Sequence, residues 1–193
     1  WLNARSKLVY PISFGKGTRH VELNGEAYFD VRKDKTKPFI VRNKDLNLTV
    51  LGTQFNIQNY SDEHEIITTL VEGAVQLSSD KTILHPGEQA TYNKATREVQ
   101  VETVDTELFT AWREGRLIFK STRLETVLKQ LSRWYDVKFV YEEERLKDLI
   151  FSGKMKKYDN GNVILGILKA TGKIDFIQQD SVIHVKRQLK QRF

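Results

Sequence analysis

The stretch Val50-Leu51-Gly52-Thr53 places the tightest constraint on how this chain can fold. Apolar residues alternate with other residues on both sides of it, at Leu46, Leu48 and Val50 and then at Leu51, Phe55 and Ile57. Because successive side chains of a strand point to opposite faces, Val50 and Leu51 cannot lie on the same face. The alternation therefore slips by one residue, and Gly52 follows with the backbone freedom that a bulge requires. The stretch predicts a kinked core strand, or two strands that meet at a sharp bend, and it contains no catalytic motif.

Residues 1–111 are predicted to be strands almost throughout. A long alternating strand is expected from Val21 to Val31, and turn signals such as Pro86-Gly87 separate the shorter strands. The shorter strands are predicted at Phe39–Val41, Ile66–Val71, Ala74–Leu77, Gln89–Tyr92 and Val99–Val101. No sustained 3.6-residue period occurs in this half, so we predict an all-β sandwich, roll or solenoid-like stack.

Residues 112–187 follow a different pattern, which predicts a small α+β domain in the order β-α-β-β-α-β-β. Ser121 or Thr122 is expected to cap the first helix, and Asp159 or Asn160 the second. The apolar residues expected on the buried helix faces are Leu124, Val127, Leu128 and Leu131, then Val163, Ile164, Ile167 and Leu168. A hairpin of Ile174–Ile177 with Val182–Val185 closes the domain, and residues 188–193 form a basic tail.

The composition of the 193 residues excludes several classes of protein. With 39% hydrophobic residues the chain can build a core, and no apolar run reaches the ~18–20 residues that a membrane span needs. The absence of cysteine excludes disulfides and cysteine-ligated metals, and it fits either cytosol or periplasm. The net charge of +6 is uneven, because residues 1–111 carry −2 and residues 112–193 carry +8. Since the sequence begins at Trp1 without a signal peptide, we expect it to be a fragment of a longer protein.

The sequence contains no strong motif for catalysis, metal binding or nucleic-acid binding. The four histidines have no metal-ligand spacing, no P-loop or dinucleotide fingerprint occurs, and no helix-turn-helix is visible. We therefore predict no catalytic residue, no cofactor, no metal and no nucleic-acid partner. Glu22, Glu26 and Asp30 share one face of a predicted strand, and paired carboxylates can hydrolyse glycosides. A solvated strand face is the favoured interpretation, and a carbohydrate-binding or glycan-processing β domain stays as the alternative function.

A series of motifs, in order along nearly the whole chain, resembles the FecR family of transmembrane anti-sigma factors in its Bacteroidetes-like version. These motifs are Trp1-Leu2-Asn3-Ala4, Gly25-Glu26-Ala27-Tyr28-Phe29-Asp30-Val31, Val50-Leu51-Gly52-Thr53-x-Phe55-Asn56, Thr69-Leu70-Val71-Glu72-Gly73, Pro86-Gly87-Glu88-Gln89-Ala90, Trp112-Arg113-x-Gly115 and Leu131-Ser132-Arg133-Trp134-Tyr135. The second half also resembles the small domain at the N-termini of secretins and TonB-dependent receptors.

The resemblance implies a non-enzymatic periplasmic relay from a single-pass inner-membrane protein. Its partners would be the signalling domain of a TonB-dependent outer-membrane receptor and, through a cytoplasmic region outside this sequence, an extracytoplasmic-function sigma factor. Contact with the membrane would occur only through a transmembrane helix, also outside the sequence. Because the family's C-terminal part meets the receptor, and because this half is basic, we expect the contact among cationic residues. The candidates are Arg133, Lys138, Lys154, Lys156 and Lys157.

Overall fold

The computed structural model describes residues 1–156 and 161–188. The chain divides into two compact units, Trp1–Arg113 and Glu114–Phe193. The sequence places this boundary two residues earlier, after residue 111. Within the described residues, none of the helices is both long and apolar enough to span a membrane.

The first unit is built almost entirely of β-strands, as the sequence predicts. Ten strands lie in one hydrogen-bonded system in the order β10-β9-β6-β5-β2-β3-β4-β7-β8, with β1 paired to β2. The strands are β1 (Lys7–Val9), β2 (Arg19–Asp30), β3 (Phe39–Arg42), β4 (Leu48–Val50), β5 (Gln54–Asn59), β6 (Glu65–Glu72), β7 (Val75–Leu77), β8 (Ile83–Leu84), β9 (Glu88–Asn93) and β10 (Val99–Thr103). A short helix α1 (Glu107–Thr110) and a 3₁₀ turn (Ala111–Glu114) follow.

The long strand β2 joins two groups of strands. Its first residues pair in parallel with β3, and Gly25–Asp30 pair antiparallel with β5. Alternate residues of β2, including Val21, Leu23 and Ala27, are buried in a core of aliphatic and aromatic side chains. Every second residue therefore faces away from this core, and that second face carries Glu22, Glu26 and Asp30.

The bend predicted at Val50–Leu51 is confirmed. Val50 is 1% exposed, whereas Leu51 is 42% exposed, so the neighbouring side chains point to opposite faces. Gly52 has φ +152° and lies between β4, which pairs with β3, and β5, which pairs with β2. The backbone of Lys33 packs against Gly52 so closely that a Cβ on Gly52 would lie 2.4 Å from the Lys33 Cα. The glycine is therefore required by conformation and by packing together.

The second unit contains two helices and two separate small sheets within its described residues. Strands β11 and β13 form a two-stranded antiparallel ribbon, and the other sheet has the order β12-β15-β14. The elements are β11 (Arg116–Arg123), α2 (Leu124–Tyr135), β12 (Lys138–Tyr141), a 3₁₀ turn (Glu144–Asp148), β13 (Ile150–Lys156), α3 (Gly161–Ala170), β14 (Ile174–Gln179) and β15 (Val182–Arg187). The closing hairpin β14–β15 is confirmed. The likeness to the secretin and receptor N-terminal domain stays a prediction.

The predicted buried face of α2 is confirmed, and its predicted cap is wrong. Leu124, Val127, Leu128 and Leu131 are each at most 2% exposed and lie in the core of the second unit. The N-cap position is Arg123, not Ser121 or Thr122, and no side chain caps this end. The reason is that β11 continues through a bulge after Phe119 and keeps Thr122 and Arg123 paired with β13.

The prediction of the buried face of α3 is correct for two of its four residues. Ile164 and Leu168 are buried, whereas Val163 is 52% exposed and Ile167 is 50% exposed. Each residue turns a helix by about 100°, so 163 and 167 form a neighbouring stripe that the core does not reach. The predicted cap residues Asp159 and Asn160 lie outside the described residues, as does the predicted tail beyond residue 188.

Candidate functional site

The structure separates the five predicted partner-binding residues. Lys154 and Lys156 are exposed on β13, and Lys138 is exposed on β12, which belongs to the other sheet. Arg133 lies on α2 and is only 8% exposed, so it is not part of an exposed cationic surface. Lys157 lies outside the described residues. Of the five, only Lys154 and Lys156 are shown on the same face of one sheet.

The ribbon of β11 and β13 presents one apolar and one basic face. Leu117 and Phe119 of β11 and Phe151 and Met155 of β13 are buried. The opposite face, here called the basic ribbon face, carries Arg116, Ile118, Lys120, Lys154 and Lys156. Sequence reasoning missed the residues that β11 contributes, although the alternation Arg116-x-Ile118-x-Lys120 is the period-two signal that would have found them.

Like charges oppose each other on this face. Arg116 lies directly across from Lys156 in the ladder, and Ile118 lies across from Lys154. The Arg116–Lys156 pair therefore destabilises the ribbon by about a few tenths of a kcal/mol. Glu114 offsets part of the repulsion, since its Oε2 lies 2.6 Å from Nη2 of Arg116. Lys120 and Lys154 have no ion pair within the described part of the chain. The face is therefore suited to an acidic partner.

The predicted solvated face of β2 is wrong at its centre. Glu22 and Asp30 are exposed, but Glu26 is 4% exposed and its carboxylate is fully engaged. Asn3 Nδ2 donates to Glu26 Oε2 at 2.7 Å, and Asn56 Nδ2 donates to Oε1 at 2.9 Å. A carboxylate held in this way, between two exposed neighbours four residues away on either side, does not form a catalytic pair. The glycan-processing alternative thereby loses its main feature.

The hydrogen bonds continue from Asn56 to the end of the first unit. Trp112 Nε1 donates to Asn56 Oδ1 at 3.0 Å in a buried position. We call Asn3, Glu26, Asn56 and Trp112 the Glu26 network. Its members are 23, 30 and 56 residues apart along the chain in successive pairs. Each of the four residues belongs to one of the motifs that carry the family resemblance. The sequence thus contained a signal for each residue, but it did not show that the four side chains meet.

An aromatic stack lies beside the network on the same face of β2. The Arg113 guanidinium carbon lies 3.6 Å from the ring centroid of Tyr28 and 5.4 Å from that of Trp1. Burial raises the pKa of the Tyr28 hydroxyl above its ordinary value, and the positive charge of Arg113 acts in the opposite direction. Cation–π contacts of a partly desolvated arginine contribute about 1–2 kcal/mol. The stack fixes Arg113 close to the network residue Trp112.

A cleft of about 870 Å³ in the first unit has a mixed lining. Arg42 and Lys44 contribute positive charge, Glu22 and Asp45 negative charge, and asparagine side chains provide amides. Burial lowers the pKa of Lys94, whose Nζ already donates to the carbonyls of Tyr60 and Glu63. This lining does not select one class of ligand. The four histidines remain distributed over separate elements, and the described residues contain no cluster that could hold a metal.

The described residues form a β-rich protein of two units, with a buried hydrogen-bond network in the first and a basic ribbon face in the second. The FecR protein family model matches residues 1–76, and the FecR C-terminal model matches residues 116–185. The chain belongs to the FecR family of anti-sigma factors.

Solved structures agree with this assignment. Two crystal structures of a protein from Parabacteroides distasonis ATCC 8503, provisionally assigned as an anti-sigma factor, were determined at 1.65 and 2.50 Å resolution. They match this chain with TM-scores of 0.87 and 0.86 at 28% identity. Each match covers 97% of this chain and 89% of the other. No curated protein sequence matched the chain.

Proposed function

We propose that this chain is the periplasmic relay region of a membrane-anchored anti-sigma factor. It receives a signal from a TonB-dependent outer-membrane receptor and controls an extracytoplasmic-function sigma factor, which binds a region not among these 193 residues. The observation that carries the proposal is that both units match FecR family models, one over residues 1–76 and the other over 116–185. The family is regulatory, and the network geometry leaves the buried carboxylate of Glu26 without a catalytic role.

The basic ribbon face of the second unit is the proposed contact for the receptor's signalling domain. Lys120 and Lys154 supply charge that no acid of the described chain neutralises, and Ile118 lies between basic neighbours as an apolar contact. A partner with an acidic surface would be attracted at long range, which raises the association rate more than the affinity. The same attraction discriminates against basic partners.

The strand arrangement supports a second component of binding. Among the described residues β11 and β13 each have one neighbouring strand, so the outer edges of the ribbon present main-chain groups. An extended segment of the partner could pair with such an edge, where main-chain hydrogen bonds supply affinity and side chains supply specificity. Charge on the basic ribbon face would then guide the approach and the register.

Calorimetric titration with the periplasmic signalling domain of the cognate TonB-dependent receptor tests the proposal. We expect saturable binding to the wild-type chain and a loss of roughly tenfold in affinity for Lys120→Glu/Lys154→Glu. The matched control is Lys16→Glu/Lys35→Glu, which changes the net charge equally but lies on exposed positions of the first unit. If both double variants lose affinity equally, the effect comes from net charge alone. If the wild-type chain does not bind, the receptor is not its partner.

A further inference from the structure

The Glu26 network joins the two ends of the first unit, and the docking proposal does not account for it. Asn3 belongs to the segment that opens the unit, and Trp112 lies at its end. We propose that the network is a latch that couples residues 1–3 to the segment Trp112–Arg113, so that displacement of either end loosens the other. The coupling is a property of this unit, and only its use in signalling rests on the proposed function.

Asn56 is the residue through which the two ends affect each other. Its Nδ2 donates to Glu26 and its Oδ1 accepts from Trp112, so both groups of the amide are used. Asn56 is 3% exposed, and water does not readily replace a lost partner at such a position. If Trp112 moves away, Oδ1 is left without its donor and the amide is free to reorient. The bond to Glu26 weakens with it, because bonds in a buried network strengthen one another.

The opening segment depends on Glu26 through both side-chain and main-chain bonds. Asn3 Nδ2 donates to the Glu26 carboxylate, and the Asn3 main-chain nitrogen donates to the Glu26 carbonyl at 2.9 Å. The Tyr28 main-chain nitrogen donates to the Trp1 carbonyl at 3.1 Å, and the Trp1 nitrogen donates to the Tyr28 carbonyl at 3.0 Å. Residues 1–3 therefore lie along β2 like a short strand, and Asn3 links them to the network through its side chain.

The closing segment is placed to deliver a displacement. Trp112 is four positions before Arg116, the first residue of β11 in the second unit. A connection of that length spans at most about 14 Å when fully extended, so a large movement of the second unit must act on Trp112. Arg113 adds its stack on Tyr28 and Trp1, which links the closing segment to the opening one a second time.

Amide hydrogen exchange followed by NMR on the whole chain tests the latch. Trp112→Phe keeps the aromatic ring and removes the indole donor. We expect the amides of Asn3 and Tyr28 to exchange about fivefold faster, relative to amides in β3 and β4. The matched control is Gln89→Leu, which removes another buried side-chain bond of the first unit, from Gln89 Nε2 to Thr69 Oγ1. This control should leave that ratio unchanged.

The reverse experiment distinguishes coupling between the two segments from a general loss of stability in one variant. Coupling free energies are reciprocal, so Asn3→Ala should raise the exchange rate of the Trp112 indole N–H by a similar factor. Reciprocal, selective changes support the latch. Exchange that is unchanged, or raised equally at all amides in both variants, overturns it, whether or not the receptor domain binds.

Discussion

Replacement of Gly52 by alanine is the perturbation whose cost the structure defines best. The new Cβ would lie 2.4 Å from the Cα of Lys33 and 2.6 Å from its Cβ. Ordinary contacts begin near 3.4 Å, so one backbone must retreat by roughly 1 Å. The neighbouring atom is main chain of the segment that pairs with residues 51–53, so a simple side-chain rotation cannot relieve the contact. Asp34 N, for example, donates to the Leu51 carbonyl at 2.7 Å.

The expected loss of stability for Gly52→Ala combines three contributions. A non-glycine residue in this region of φ costs about 1–3 kcal/mol, and overpacking of a rigid neighbour adds about 1–3 kcal/mol. Alanine also lowers the conformational entropy of the unfolded chain, which offsets about 0.4–1 kcal/mol of this destabilisation. The net destabilisation is about 3 kcal/mol, which lowers the Tm of the first unit by roughly 10–15 °C.

Differential scanning calorimetry with a matched glycine measures this effect. Gly87 also has a positive φ, +86°, but no atom lies within 4 Å of a Cβ at that position. Gly87→Ala should therefore cost only the conformational part, about 1 kcal/mol. A Gly52→Ala variant as stable as Gly87→Ala would show that contact with Lys33 is not limiting, and would refute the reasoning.

Three further perturbations address the second unit. Leu128→Ala removes a side chain that is 1% exposed in the core, and urea denaturation should show a loss of about 2–4 kcal/mol. Arg123→Ala breaks an exposed ion pair with Asp148, so the change should stay below about 1 kcal/mol and shrink in high salt. The pKa of Asp175 is lowered below 3.8, chiefly by a hydrogen bond from Lys169. The Asp175 carboxylate therefore stabilises the folded state above pH 3.8, and this stabilisation is lost as the pH falls through the lowered pKa. Denaturation at a series of pH values should therefore show a smaller acid-induced loss for Asp175→Asn than for the wild type.

Local patterns predicted most of the helices and strands, whereas contacts between distant segments were not accessible from the sequence. The slip at Val50–Leu51 and the buried face of α2 follow from alternation within one element, and both are confirmed. The exposure of Val163 depends on how far the core extends around α3, which its own sequence does not contain.

The burial of Glu26 is another feature that depends on contacts between distant segments of the chain. Alternation correctly places Glu26 on the face of β2 that points away from the core. That face would be solvated in an isolated strand. Glu26 is covered because Asn3, 23 residues before it, and Asn56, 30 residues after it, both donate to its carboxylate, and Trp112 donates to Asn56 in turn. No periodicity within β2 carries that information, although the motifs that resemble the family contain every residue of the network.

We propose that this chain relays a receptor signal to a sigma factor through the basic ribbon face. A sigma-dependent reporter in cells that make the full-length protein with Lys120→Glu/Lys154→Glu tests it most directly. The reporter should lose its response to the receptor's inducer, while the Lys16→Glu/Lys35→Glu control responds like the wild type and both proteins accumulate normally. A normal response from the Lys120→Glu/Lys154→Glu protein would contradict the claim.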